Sequence, residues 1–244
     1  MTPRIDLNCD LGEGAGHDAE LMPLITSASI ACGAHAGDEA TMRETVALAL
    51  EYGVAIGAHP GFADRGHFGR REIGLSPRQA GDLVRGQILR LRALGPVRHV
   101  KPHGALYNMA ARDPALAVAI ADAVHEVDPA LLVFAPPASE LARAARGRGL
   151  RVCHEVFSDR TYQHDGSLTP RSRPDALIRD EREAVAQVLR MIREGVVRAT
   201  GGTDVSIVAD TVCVHGDGPD PVAFAQRLRA ELIGAGIEIR APFT

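Results

Sequence analysis

Short apolar or β-branched runs alternate along this chain with longer amphipathic stretches. The runs at 5–10, 28–33, 54–58, 99–102, 131–135, 151–157 and 211–215 predict strands. Helical spacing appears at about 39–52, 77–94, 114–125, 138–148, 181–195 and 220–235. Strands separated by helices in this way imply a parallel sheet with helices packed outside it. Pro77, Pro114 and Pro221 sit where helices should begin and where a missing N–H is harmless. Ser76 and Asp113 stand ready as N-caps in front of two of them. Seven strand–helix units result, one short of an eightfold barrel. No linker, low-complexity segment or repeat divides the chain, so one α/β domain over 1–244 is expected.

Two connections are long, 60–75 and 158–174, and long loops in a compact domain are usually functional covers. The segment 196–210 reads as a β-hairpin turning at Gly201-Gly202 rather than as a phosphate loop, because no helix start follows it.

Strand alternation is the sharpest signal. In the first strand Ile5, Leu7 and Cys9 share one face, and Asp6, Asn8 and Asp10 the other. In the fourth, His99, Lys101 and His103 oppose Val100 and Pro102; in the seventh, Cys213, His215 and Asp217 oppose Val212 and Val214. Glu155, and Asp159 if the strand continues, face one side of the sixth, while His35 and His59 follow the second and third. Apolar side chains must lie beneath the helices, so the polar set points inward or crowns the C-terminal rim. Ionisable groups buried together need partners, a metal or a wet pocket. Carboxylates, imidazoles and a lysine arriving at that rim read as an active site.

Composition narrows the classes. The chain has 244 residues, is 45% hydrophobic and 24% charged, and carries a net charge of −4. That is ordinary for a globular protein, and with no basic run it argues against nucleic acid or an anionic membrane as partner. Cys9, Cys32, Cys153 and Cys213 lie in apolar runs with no C-x-x-C pair, which suits free buried thiols. No apolar run approaches a membrane span and no leader pattern follows Met1, so a cytoplasmic location is expected.

Several blocks together resemble the LamB/YcsF family: NCDLGEG at 8–14, ACGAHAGD at 31–38, GAHPGF at 57–62 and FGRR at 68–71. VKPHGALYN at 100–108, EVFSDRTY at 155–162, DGSLTPR at 165–171 and CVHGD at 213–217 continue it in order over nearly the whole chain. The resemblance implies a seven-stranded, TIM-like (β/α) barrel similar to the glycoside hydrolase/deacetylase superfold. It also implies the A subunit of a bacterial 5-oxoprolinase, cleaving 5-oxoproline to L-glutamate with ATP hydrolysis to ADP and phosphate, alongside subunits B and C.

That activity asks for a cationic clamp, a general base for water and an acid for the departing nitrogen. Asp10, His103, Lys101, Asp217 and His215 are the catalytic candidates. Asn8, His35, Arg70, Arg71, Glu155, Arg160 and Tyr162 are candidates for holding substrate or phosphate. ATP, with Mg2+, would be a co-substrate, and no G-x-x-x-x-G-K-[ST] string offers it a P-loop. Related folds gather an aspartate and two histidines around a divalent ion, which makes Asp10, His59 and His103 a candidate metal set. Neither HxxxH nor HExxH occurs, so spacing adds little to that set. Two other readings stay open. A stand-alone metal-dependent carbohydrate deacetylase or hydrolase would work without ATP or partners. A non-catalytic substrate-binding subunit would tolerate loss of the rim carboxylates.

Overall fold

The computed structural model describes residues 2–215 and 220–243. Its strands are β1 (Arg4–Leu11), β2 (Ser27–Ala31), β3 (Ala55–His59), β4 (Val97–Val100), β5 (Leu132–Ala135) and β6 (Arg151–Phe157). After them come β7 (Val196–Arg198), β8 (Asp204–Ser206), β9 (Thr211–Val214) and β10 (Glu238–Ile239). The helices are α1 (Asp18–Leu21), α2 (Glu39–Tyr52), α3 (Pro77–Arg92), α4 (Gly104–Arg112), α5 (Pro114–Val127), α6 (Glu140–Gly147), α7 (Glu181–Glu194) and α8 (Pro221–Gly234).

Strands β1 to β6 and β9 pair in parallel around a ring, and β1 closes it on β9 with Asp6 opposite Thr211 and Cys9 opposite Val214. The result is the expected seven-stranded barrel with flanking helices. β10 adds a short parallel pairing to the start of β1, Arg4 opposite Glu238. β7 and β8 form the antiparallel hairpin expected around Gly201-Gly202.

Local chemistry explains where the helices start. Ser76 accepts from the backbone N–H of Gln79, and Pro77 fills the first helical position. Asp113 does the same for α5 and Asp220 for α8. Each such cap contributes about 1 kcal/mol. Helix α4 does not stand out in the sequence pattern, because Pro102-His103-Gly104 looks like a turn. Its buried Ala105, Leu106, Tyr107 and Ala110 nevertheless have helical spacing. The first unit also departs from the seven-unit count: only α1 and a 3-10 turn (Met22–Leu24) join β1 to β2.

Outside the barrel Ile5, Leu7, Ile30, Val100 and Val212 are fully covered by helices. Each such side chain is worth roughly 1.5–3 kcal/mol over exposure. Inside, the opposite face carries Asp6, Asn8, His99, Lys101 and Glu155, all buried. The lumen is filled rather than hollow. A Cβ on Gly57 would stand 2.0 Å from His99 Nε2, so only glycine leaves room for that ring. At the N-terminal mouth His99 stacks on Phe134, with Phe243 beyond it.

Candidate active site

The polar lumen rises as one connected network. Thr211 donates to Asp6, Asn8 donates from Nδ2 to Thr211 at 2.8 Å and to Glu155 at 3.0 Å, and Tyr107 donates to Glu155 at 2.7 Å. Lys101 Nζ lies above, 2.7 Å from both Asp10 and Glu155, 3.0 Å from Asn8 Oδ1 and 3.1 Å from Cys213 Sγ. Burial alone would lower the Lys101 pKa, but Asp10, Cys213 and Glu155 outweigh it and hold the ammonium well above its ordinary value. Lys101 is therefore a fixed cation, already flanked by two carboxylates. Burial would likewise raise Asp10, yet His59 and Lys101 hold its carboxyl well below the usual range.

Two walls stand on this floor and share Asp10. On one, His59 Nε2 is 3.3 Å from Asp10 Oδ2 and 2.9 Å from His103 Nδ1. Glu13 Oε1 lies 3.0 Å from His35 Nε2, 3.4 Å from His103 Nδ1 and 3.9 Å from His59 Nε2. His35 stacks flat on His103 with ring centroids 3.8 Å apart. Burial pushes both of these imidazoles down to about 3. Burial would depress His59 too, but the Asp10 carboxylate raises it above its ordinary value. Gly69, at φ +63°, permits the stacked pair: a Cβ there would stand 2.8 Å from His35 Cβ. Next to it Phe68, also left-handed at φ 54°, presents the carbonyl that accepts from His103 Nε2. A bulky residue in that conformation costs roughly 1–3 kcal/mol, strain of the kind that clusters at functional sites.

On the other wall His215 Nδ1 donates to Asp159 at 2.9 Å, and Arg171 Nη2 donates to Nε2 at 3.3 Å. Burial would raise Asp159, but its interaction with His215, hydrogen bond included, and the nearby Arg171 guanidinium hold it below the ordinary carboxylate value. The pair forms an oriented imidazole facing the same space, since ligand atoms of Asp10, Cys213 and His215 all lie within 4.8 Å of one another. Between the walls opens a cavity of about 800 Å³. The start of α4, residues 136–139 and the tip of the 158–174 loop roof it, with Arg70, Arg160 and Arg171 on its lining. Such a volume suits a small polar substrate and one further group.

The residues expected from sequence fall into distinct places. Asp10, Lys101, His103, His59 and His215 meet around the cavity. His59 bridges two of the catalytic candidates, Asp10 and His103. Asn8 and Glu155 are consumed beneath the floor, and His35 lies behind His103. Arg160 donates to the carbonyls of Thr169 and Ala176, and burial takes its pKa down to about 10, which leaves it charged at neutral pH. Tyr162 accepts from the Phe157 N–H and pins a loop. Arg71 turns away to Asp64. Asp217 lies outside the described residues.

Glu13, Tyr107, Arg171 and Asp159 as the partner of His215 are site residues that sequence reasoning misses. Glu13 has a signal, an acidic residue between two glycines at the end of β1. The partnership of Asp159 has none, because 56 residues separate it from His215.

Known proteins align with this arrangement along its whole length. A profile described as the LamB/YcsF family matches residues 5–244. A protein of Brevibacillus brevis, named as the A subunit of 5-oxoprolinase, is 55% identical over 249 residues, covering 98% of each chain. The crystal structure of a lactam utilization protein from Thermus thermophilus superposes at a TM-score of 0.91 with 46% identity, covering 98% of this chain and 99% of that one. A T48 deacetylase solved with substrate shares the fold alone, at a TM-score of 0.51 and 13% identity, over 98% of this chain and 87% of that one.

Proposed function

Because the chain belongs to the LamB/YcsF family, we propose that it serves as the A subunit of a 5-oxoprolinase, a multi-subunit hydrolase that opens 5-oxoproline to L-glutamate. The observation that carries this is identity of 52–58% over nearly the full length with relatives of that name. Their name implies companion subunits, which we take to be B and C. No helix among the described residues is long and apolar enough to cross a membrane, in keeping with a cytoplasmic enzyme.

ATP, with Mg2+, is the co-substrate of the assembled enzyme in this reading. The lactam amide is a poor electrophile, and transfer of the terminal phosphoryl group to its oxygen activates C5. Water then adds to C5, the C5–N bond breaks with a proton going to the departing nitrogen, and the resulting γ-glutamyl phosphate is hydrolysed by a second water to L-glutamate and phosphate. Arg70 and Arg171 line the cavity where a carboxylate or phosphoryl oxygen would need a cation. His215, oriented by Asp159, is the group placed to take a proton from water and return it to the nitrogen. Lys101 keeps Asp10 ionised beside His59.

The test is glutamate release from 5-oxoproline and ATP, by this chain alone and with B and C subunits. Release is expected only from the complete mixture. Turnover by the isolated chain would overturn the multi-subunit reading, and no release from the full mixture would overturn the activity.

A further inference from the structure

We propose that Glu13, His59 and His103 form a site for a borderline divalent cation of the Zn2+ type, open to the cavity. Three separate parts of the chain deliver them: the turn after β1, the end of β3, and the connection between β4 and α4.

Hydrogen bonding decides which ring nitrogens are available. His59 Nδ1 is 2.7 Å from the carbonyl of Lys101, and only a protonated nitrogen can donate there. In the neutral ring Nε2 then carries the lone pair. His103 Nε2 is 2.8 Å from the carbonyl of Phe68, so its Nδ1 is likewise unprotonated. These two lone-pair nitrogens face each other at 2.9 Å. Glu13 Oε1 completes the triangle at 3.4 and 3.9 Å. Donors on a tetrahedral ion with bonds of about 2.0–2.1 Å stand roughly 3.3 Å apart, which is the size of this triangle. A single proton on His59 Nε2 would satisfy one edge and leave lone pairs facing across another. One cation at the centre satisfies all three donors.

His35 supports the site without entering it. Its ring is parallel to His103 within 1°, so its plane runs beside the shared point rather than through it. Its Nε2, 3.0 Å from Glu13 Oε1, instead orients the carboxylate. Each of the three ligands thus has an outer partner, a carbonyl or an imidazole, as metal ligands in proteins generally do. All three also line the cavity. Two histidines and a carboxylate with an open face describe a site that takes up a further ligand, not a closed structural one. Asp10, part of the set suggested by related folds, has one oxygen tied to Lys101 and the other 3.3 Å from His59 Nε2, whereas Glu13 reaches both imidazoles.

The test needs no activity. The full chain, stripped with chelator, is titrated with Zn2+ by calorimetry and with Co2+ by visible absorption. One ion per chain is expected, with cobalt ligand-field bands of nitrogen and oxygen ligation. Glu13→Gln and His103→Gln should each abolish stoichiometric binding, whereas Asp10→Asn should keep it. His35→Ala should weaken binding roughly 10–100-fold. Circular dichroism on every variant separates a lost site from a lost fold. Glu13→Gln, which changes only a partly exposed carboxylate, keeps the question answerable if the histidine variants misfold. No stoichiometric uptake by the unaltered chain, or uptake that survives a Glu13→Gln/His103→Gln double variant, would overturn the proposal. Either result leaves the 5-oxoprolinase reading to its own assay.

Discussion

Asp6 lies in the lower lumen, 1% exposed, where Thr26 and Ser27 donate to it at 2.7 Å and Thr211 at 2.5 Å. Burial outweighs those hydroxyls and pushes its pKa up from 3.8 to about 6. An acid with a raised folded pKa binds more protons folded than unfolded between those two values. Its stabilising effect is therefore fully present below pH 3.8 and is lost as pH rises through 6, by up to about 3 kcal/mol. Asp6→Asn removes the titration, so the variant's stability relative to the parent should improve by up to that amount between pH 4 and pH 7.5. Urea midpoints of both proteins at the two pH values check it; a pH-independent difference would show that Asp6 keeps an ordinary pKa. At this scale alternation alone puts Asp6, Asn8, Asp10, His99 and Lys101 on the lumen side. Which of them touch is not legible, because the partners come from other strands: Lys101 meets Asn8 across 93 residues.

Among the elements, the long connections carry the next expectation. The base of the 158–174 loop is stitched down: Arg160 pairs with Leu177, Tyr162 bridges both Leu168 and Ala199, and Gln187 donates to the Arg160 carbonyl. Its tip, residues 165–172, lines the cavity and is the part able to respond to a ligand. Hydrogen exchange in the reconstituted enzyme should slow at 165–172 when 5-oxoproline and ATP are added, and stay unchanged at 158–162. Equal exchange with and without ligands would remove the cover role. The other loop is held differently, with Arg65 donating to the carbonyls of Gly33 and Gly37, and Asp64 paired to both His67 and Arg71. Strand positions are readable because each run is short, apolar and bounded by turn residues. Helix α4 escapes because a Pro and a Gly stand at its entrance, although the same Gly104 opens it.

For the whole molecule the ring is the central fact, since β1 is held by β2 on one side and by β9 on the other, about 200 residues away in sequence. Neither end can leave without opening the barrel. We therefore expect the chain to behave as one domain, with a single equilibrium unfolding transition seen alike by far-UV circular dichroism and by tyrosine fluorescence. Tyr107 and Tyr162 are both buried and report on α4 and on the loop beyond β6. Two separated transitions would divide the chain.

The sequence by itself determined the seven strands, most of the helices and the face of each strand that would be polar, because periodicity and capping are local properties of neighbouring residues. It also carried the family, since the motif blocks run in order along the chain. Closure of the barrel was decided elsewhere, by β1 finding β9, and with closure came every contact that gives the site its chemistry. His59 stands between Asp10 and His103, Glu13 meets two imidazoles, Asp159 orients His215, and Arg71 is drawn away to Asp64. Those outcomes depend on distances of a few ångströms between groups far apart in the chain. Only the packing of one strand against another sets such distances.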